Sequence, residues 1–360
     1  MTALCALSCL FAASAIGEID PVSGIDLVTI SSAGNAAWTG RAPSPGTNGG
    51  RGAVGYEYRI GRMEVTTAQW AEFLNAALDR PAGDQIPHVA RPLVWGANPI
   101  APTNPGGSRF SVPVGNELRA AGGISWRTAA IYCNWLHNGK ATNREAFLSG
   151  AYDVSTFGFF HPEAGGYTDQ LTRSPGARYF VPSLDEWMKA AHYDPAKVNG
   201  DGSIGGWWEY SNRSDTAAPV GGPPGVLVNG QMAQANTGWL NGYPGLDAFT
   251  VPLGAYPQTQ SPWGLLDMAG ATAEWVEEPF IDQSEGFPRG RFSDGSPWRN
   301  QAPLTDSVWS RSGSDFPSFR DTIYGFRIAA AVIPSPGWVS VGVSGCVLTL
   351  AVRRRPMARG

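Results

Sequence analysis

Histidine and cysteine are scarce in this 360-residue chain. The four histidines, His88, His137, His161 and His192, stand far apart, and no pair has His-x-x-x-His spacing. A compact zinc or iron motif is therefore excluded, and an iron site would need ligands converging from distant segments. Of the four cysteines, Cys5, Cys9 and Cys346 lie near the ends, so the central region keeps only Cys133 and can close no internal disulfide. A secreted domain without bridges relies on its core or on bound metal. Charge is also thin: 16% of residues are charged, the net charge is −4, and the only basic cluster sits at the C-terminus. Nucleic acid is excluded as a partner on that balance. No internal repeat is present, and the middle of the chain has no long apolar run.

Glycine (46) and proline (29) are abundant, and 42% of residues are hydrophobic, including 14 tryptophans. That composition describes a loop-rich globular protein with a sizeable core. The length allows one large domain or two ordinary ones.

Both ends read as addresses. Residues 3–16, "ALCALSCLFAASAI", are a short apolar run, and Ala13-Ser14-Ala15 supplies the small residues of a signal-peptide cleavage site. Trp338 to Val352 is uncharged and is followed by Arg353, Arg354 and Arg355. This stretch is short for a full membrane span of about 20 residues, and the arginines would stay cytoplasmic. With Pro334-Ser335-Pro336 before it, the tail resembles the PEP-CTERM sorting signal of exported proteins, with Ser where Glu is usual. The resemblance implies a sorting protease as partner. A plain C-terminal anchor is the competing reading.

Between the ends, patterns switch from strand to helix at three places. "YEYRIGRMEVTTAQWAEFLNAAL" starts as a strand; Thr66 and Gln69 then make a capping box, and Trp70, Phe73, Leu74 and Ala77 form one apolar face. "ISWRTAAIYCNWLHNGK" predicts a second helix capped by Ser125, with Cys133 facing the core as a small hydrophobe and Gly139 at its end. "RYFVPSLDEWMKAAHYDP" predicts a third, with Ser183 and Glu186 as capping box, Trp187, Ala190 and Ala191 buried, and Pro195 as its stop. "YGFRIAAAVI", Tyr324 to Ile333, reads as a final strand. An α+β domain with few short helices, scattered short strands and long loops follows. The organisation expected is a signal peptide at 1–16, a Gly/Pro-rich strand and arm at 17–55, the main domain at 56–332, and the sorting tail at 333–360.

The most chemically loaded stretch is "WGLLDMAGATAEWVEE", Trp263 to Glu278. Asp267 and Glu274 flank a run of small residues that makes a poor helix. A loop wrapping its carbonyls around a cation would use such a run, whereas capping and surface solvation would explain the acids more plainly. Trp263 and Trp275 read as core.

Taken in order, "GRMEVTTAQWAEFLNA", "ISWRTAAIYCNWL", "YFVPSLDEWMKAA", "WGLLDMAGATAEW" and "YGFRIA" resemble the formylglycine-generating enzyme family, the sulfatase-modifying factors, over roughly residues 55–332. The resemblance implies a C-type-lectin-like fold. It also implies structural calcium: one site from the Asp267 side chain, the Gly270 and Thr272 carbonyls and the Glu274 side chain, with Ala271 where the family has Asn. A second would use Asn236, the Thr237 carbonyl, Asp247 and the Phe249 carbonyl. The family's oxidases hold copper with two cysteines near the C-terminal end and convert a substrate cysteine to formylglycine with oxygen. Here the corresponding places hold other residues, Asn300 and Ser307 being the nearest equivalents, and no side chain there replaces a thiolate for soft copper. No copper or iron site is recognisable. Arg311 matches an arginine bordering the cleft in relatives, and serves equally as an anion contact or a salt-bridge partner. Asp294, Asp306 and Asp315 crowd the same region, and a glycosidase-like carboxylate pair stays open as an alternative. Arg327 reads as an internal ion-pair partner. Two functions follow as expectations: an exported peptide- or glycan-binding or structural module, or an oxidoreductase with a metal centre not visible in the sequence.

Overall fold

The computed structural model describes residues 17–42, 48–161, 165–224, 227–228, 231–232, 247–298, 305–310 and 313–332. Two sheets and three main helices organise them. The first sheet contains β1 (Glu18–Ile19), β2 (Asp26–Ile30), β3 (Tyr58–Gly61) and β4 (Tyr179–Phe180). The second contains β5 (Ala273–Ile281), β6 (Pro288–Asp294), β7 (Gly313–Asp315) and β8 (Tyr324–Gly325). The last strand, β9 (Ala329–Ala331), returns to the first sheet, whose order is β1-β2-β3-β9-β4, antiparallel throughout. The second sheet has the order β7-β6-β5-β8, with only β5 and β8 parallel.

The helices start where their caps predict. α1 (Thr67–Leu78) carries the Thr66–Gln69 capping box and buries Trp70, Phe73, Leu74 and Ala77. α2 (Trp126–His137) is capped by Ser125 and gives way to Gly139 at φ 66°. A four-residue turn of helix, α3 (Glu145–Leu148), follows, and α4 (Leu184–His192) has the Ser183–Glu186 capping box. α1 meets α2 through rings: Tyr132 lies 5.0 Å from Trp70 and 5.1 Å from Phe73, at tilted and edge-on angles that favour aromatic packing.

Three expectations need correction. The apolar stripe that Trp126, Ala129, Cys133 and Leu136 predict on α2 widens to every side, Arg127 and Asn134 included. Asn134 makes this tolerable: its side chain donates to the Phe147 and Tyr152 carbonyls and accepts from the Tyr152 amide. α4 stops at His192, and Pro195 sits inside a hairpin strand, Tyr193–Val198, that pairs with Ile204–Trp207. The predicted strand from Tyr324 is two strands in two sheets. It breaks at Phe326-Arg327-Ile328, where the Arg327 side chain turns into the interior.

The second half of Trp263–Glu278 is likewise strand. β5 is the longest one described, because Ala273-Glu274-Trp275-Val276 alternates between two covered faces and is wholly buried. Only Asp267 to Ala271 form the tight loop expected there, with Asp267, Gly270 and Ala271 at φ 52°, 97° and 57°. Trp263 and Trp275 are core, as read. Among the described residues no helix is long and apolar enough to cross a membrane. The apolar ends, 1–16 and 338–352, lie outside them.

Candidate functional site

The guanidinium of Arg327 is buried beside the loop Asp267–Thr272 and bonds its Asp267 carbonyl. Arg327 Nε and Nη2 each donate to Glu274 at 2.6 Å, one to each carboxylate oxygen. Nη1 reaches the Gly61 and Arg62 carbonyls at 3.0 and 3.2 Å, and Nη2 the Leu266 and Asp267 carbonyls at 3.1 Å. Trp187 Nε1 adds a bond of 2.7 Å to Glu274. The strand break at Arg327 delivers the side chain to this point, and β5 holds Glu274 in register against it.

Two more acids share the site. Glu64, at the end of the β3 turn, accepts from the Thr272 amide at 3.0 Å and its hydroxyl at 2.8 Å. Asp267, half-buried, accepts from the Gly254 amide at 2.7 Å. Three carboxylates thus face one guanidinium. Burial, with Glu274 adding to it, pushes the Glu64 carboxyl well above its ordinary range. Burial pushes Asp267 up to about 6, against the pull of the Gly254 amide and Arg327. Burial acts against the Arg327 charge, but Glu274 outweighs it and holds the guanidinium above its usual value. Sequence reading passed over Glu64. A glutamate between Met63 and Val65, just ahead of an N-cap, is the signal that would have found it.

The expected calcium ligands are therefore distributed as follows. Asp267, through its carbonyl, and Glu274 meet at Arg327, whereas the Gly270 amide bonds Ser296 and Thr272 bonds Glu64. Glu274 already takes three donors, so an ion there would share it with a guanidinium. In the second set, Asp247 uses Oδ1 to cap its own short helix at the Phe249 amide, and Asn236 and Thr237 lie outside the described residues. Among the described residues no three His, Cys, Asp or Glu side chains are grouped as a metal site.

A second buried ion network was also missed. Arg173 donates to Glu186 at 2.8 and 3.0 Å and to Glu277 at 3.3 Å, while Tyr56 and Tyr152 donate to the same two acids. Burial raises Glu277 to about 7, with Arg173 opposing and Glu186 reinforcing the rise.

The region of the expected cleft residues is described at 294–298 and 305–310. Asn48, from the N-terminal arm, is buried there and ties the segment together: its side-chain amide donates to Asp294 at 3.3 Å and to the Val308 and Ser310 carbonyls at 3.2 and 3.0 Å. Arg41 lies over the Trp309 ring at 3.7 Å. Asp294, Asp306 and Ser307 are buried, Ser307 in a bridge with Tyr210, whereas Asp315 accepts from the Tyr324 hydroxyl. Asn300 and Arg311 lie outside the described residues. Cys133, the thiol left in the domain, is sealed in the core, and burial pushes its pKa well up.

The model of the sulfatase-modifying factor enzyme 1-like domain matches residues 50–332. The chain belongs to this family. No curated protein sequence matches it. Solved structures with a similar chain path include CarF, 19% identical, covering 86% of this chain and 99% of that one at a TM-score of 0.49. Treponema denticola variable protein 1 is 16% identical over 86% and 95% of the two chains, at 0.48. PvdO from Pseudomonas aeruginosa is 16% identical over 89% and 100%, at 0.46. The fold of the sulfatase-modifying-factor domain accounts for the few helices, the many short strands and the long loops.

Proposed function

We propose that this sulfatase-modifying-factor domain does not oxidise cysteine and works as an exported binding module, its cleft taking a peptide or a glycan. One observation carries the reading: no cysteine lies between Cys133 and Cys346. A copper ion held by soft donors needs thiolates in the cleft, and Cys133 is locked in α2. The apolar ends support export and anchoring through the tail, with a sorting protease acting on it.

Calcium, where bound, is structural in this reading. The hard oxygens of Asp267 and Glu274 suit such a cation. Asp267 and Glu274 with the carbonyls of Gly270 and Thr272 would hold it, and its contribution there is to neutralise charge and stiffen the loop. The competing reading is an oxidoreductase with a metal centre of another kind. Metal content by mass spectrometry and oxygen uptake, measured on the purified full chain, separate the two. The module reading expects no stoichiometric copper or iron and no oxygen uptake with thiol peptides. Stoichiometric redox metal with oxygen uptake overturns it.

A further inference from the structure

The exposed phenylalanines of the described residues stand together. Phe159, Phe160, Phe316 and Phe319 are 42%, 59%, 40% and 40% exposed. Two come from the hairpin of Phe159–His161 with Gly166–Tyr167, and two from the segment that follows β7. Phe159 meets Phe316 edge-on at 6.4 Å, and Phe160 meets Phe287, the residue before β6, at 6.4 Å. Gly165 and Gly166 permit this approach: a β-carbon there would fall 3.3 Å from the Phe316 ring and 2.7 Å from the Phe287 ring. With about 200 Å² to a phenylalanine side chain, the four leave about 350 Å² of ring surface open. Apolar patches of that size on a monomer usually serve a partner. The base of the patch is rigid. Buried Arg127 donates through Nε and Nη2 to Asp169 at 2.8 and 2.6 Å and to the Gly158 carbonyl at 2.8 Å, and its amide donates to the Pro317 carbonyl at 3.0 Å. Its guanidinium also lies 5.0 Å from the Phe159 ring. One buried arginine thus ties down both segments that carry the rings, which lowers the ordering cost of a contact there.

We propose that this phenylalanine patch is the contact between two copies of the chain, related by a two-fold axis through the rings. The charges at its two ends point there. Next to Phe287, Asp282 and Glu285 share one cation, Arg289, at 3.2 and 2.5 Å, which leaves one negative charge. Next to Phe319, Arg320 donates to the Arg91 carbonyl at 2.9 Å, so two arginines stand with the single acid Asp321 and leave one positive charge. A two-fold contact sets the patch against itself. The Arg91–Arg320 end of one copy then meets the Asp282–Glu285 end of the other, and opposite charges face each other at both rims. The rings between carry no polar atom, and edge-on or offset contacts suit a seam of phenylalanines. An anionic lipid surface fits less well, because the Asp282–Glu285 end would meet it with like charge. The open ring surface is under half of the about 800 Å² that each partner contributes to a standard interface, so the dimer is transient and dissociates in the micromolar range.

The test is sedimentation equilibrium of the full chain in mild detergent, from about 1 μM to about 200 μM, a range that brackets micromolar dissociation. A monomer–dimer equilibrium is expected. Phe160→Asp and Phe316→Asp, both at exposed positions, should each raise the dissociation constant at least about tenfold and leave the melting temperature unchanged. The rims supply a second readout that a misfolded variant would not mimic. Arg320→Glu and Glu285→Arg should each weaken the dimer about threefold or more, and the two together should restore it. A monomer at every concentration overturns the proposal. So does a dimer that both aspartate variants leave intact, or a pair of charge variants whose losses simply add. A chain that stays monomeric in solution but is captured by anionic vesicles through these rings assigns the patch to a lipid surface and also overturns it.

Discussion

Replacing Arg327 with methionine should be among the most damaging single changes in the domain. The guanidinium is fully buried and answers three carboxylates, and its Nε and Nη groups serve Glu274 and four backbone carbonyls. Methionine fills much of the volume but leaves Glu274 charged and without its counter-ion. Breaking a buried pair from one side costs about 3–5 kcal/mol, which in a domain of this size lowers the melting temperature by about 10 °C. Adding Glu274→Gln removes the stranded charge, so the double variant should recover at least about 1 kcal/mol over the sum of the two singles. Recovery stays partial because Glu64 and Asp267 also lose their counter-ion. The loss in Arg327→Met should shrink at pH 5, where Asp267, raised to about 6, takes up its proton. The assay is denaturant unfolding of wild type, both singles and the double, at pH 5 and pH 7. Additive losses, or a single variant that costs under about 1 kcal/mol, would refute the reasoning.

Four further outcomes follow from the same geometry. Asp267 titrates near 6 in the fold and near 4 when unfolded, so the folded state binds more protons between those values. Stability should therefore fall as pH rises from about 4 to about 6, by up to about 3 kcal/mol less what solvent screening removes, and Asp267→Asn should flatten that limb of a pH–stability curve. Ala271 sits at φ 57°, a left-handed conformation that costs alanine about 1 kcal/mol; Ala271→Gly or Ala271→Asn should raise the melting temperature by a few degrees in calorimetry. Asn134→Ala leaves the Phe147 and Tyr152 carbonyls and the Tyr152 amide unmatched in the core, and chemical denaturation should show a loss of about 2–3 kcal/mol. Calcium removal by chelator should lower the melting temperature if the oxygens of Asp267 and Glu274 take up an ion, and Asp267→Asn should abolish the difference.

Much of the fold was legible because its signals are local. Each capping box places a hydroxyl and an amide or acid three residues apart, and Thr66–Gln69 and Ser183–Glu186 therefore fixed two helix starts. The small-residue loop at Asp267–Ala271 was also visible, since its composition defeats a helix. What failed was everything decided by a distant partner. Arg327 breaks a strand that its neighbours would continue, because Glu274, fifty-three residues earlier, draws its side chain inward. A guanidinium lies against that loop, and no spacing rule joins residue 327 to residues 266 and 267. Arg127 and Asn134 could not be read as buried, for their partners Asp169 and Tyr152 come from later loops. Glu64 went unseen for the same reason, its partner Thr272 lying on the other side of the domain in sequence.

The central claim is that a cleft without thiols cannot perform the family's oxidation. The most direct test supplies the purified full chain with copper(I), oxygen and a cysteine-bearing substrate peptide, then looks for the peptide aldehyde by hydrazide capture and mass spectrometry. The account predicts unchanged thiol and no aldehyde. Catalytic turnover of cysteine to formylglycine would contradict it.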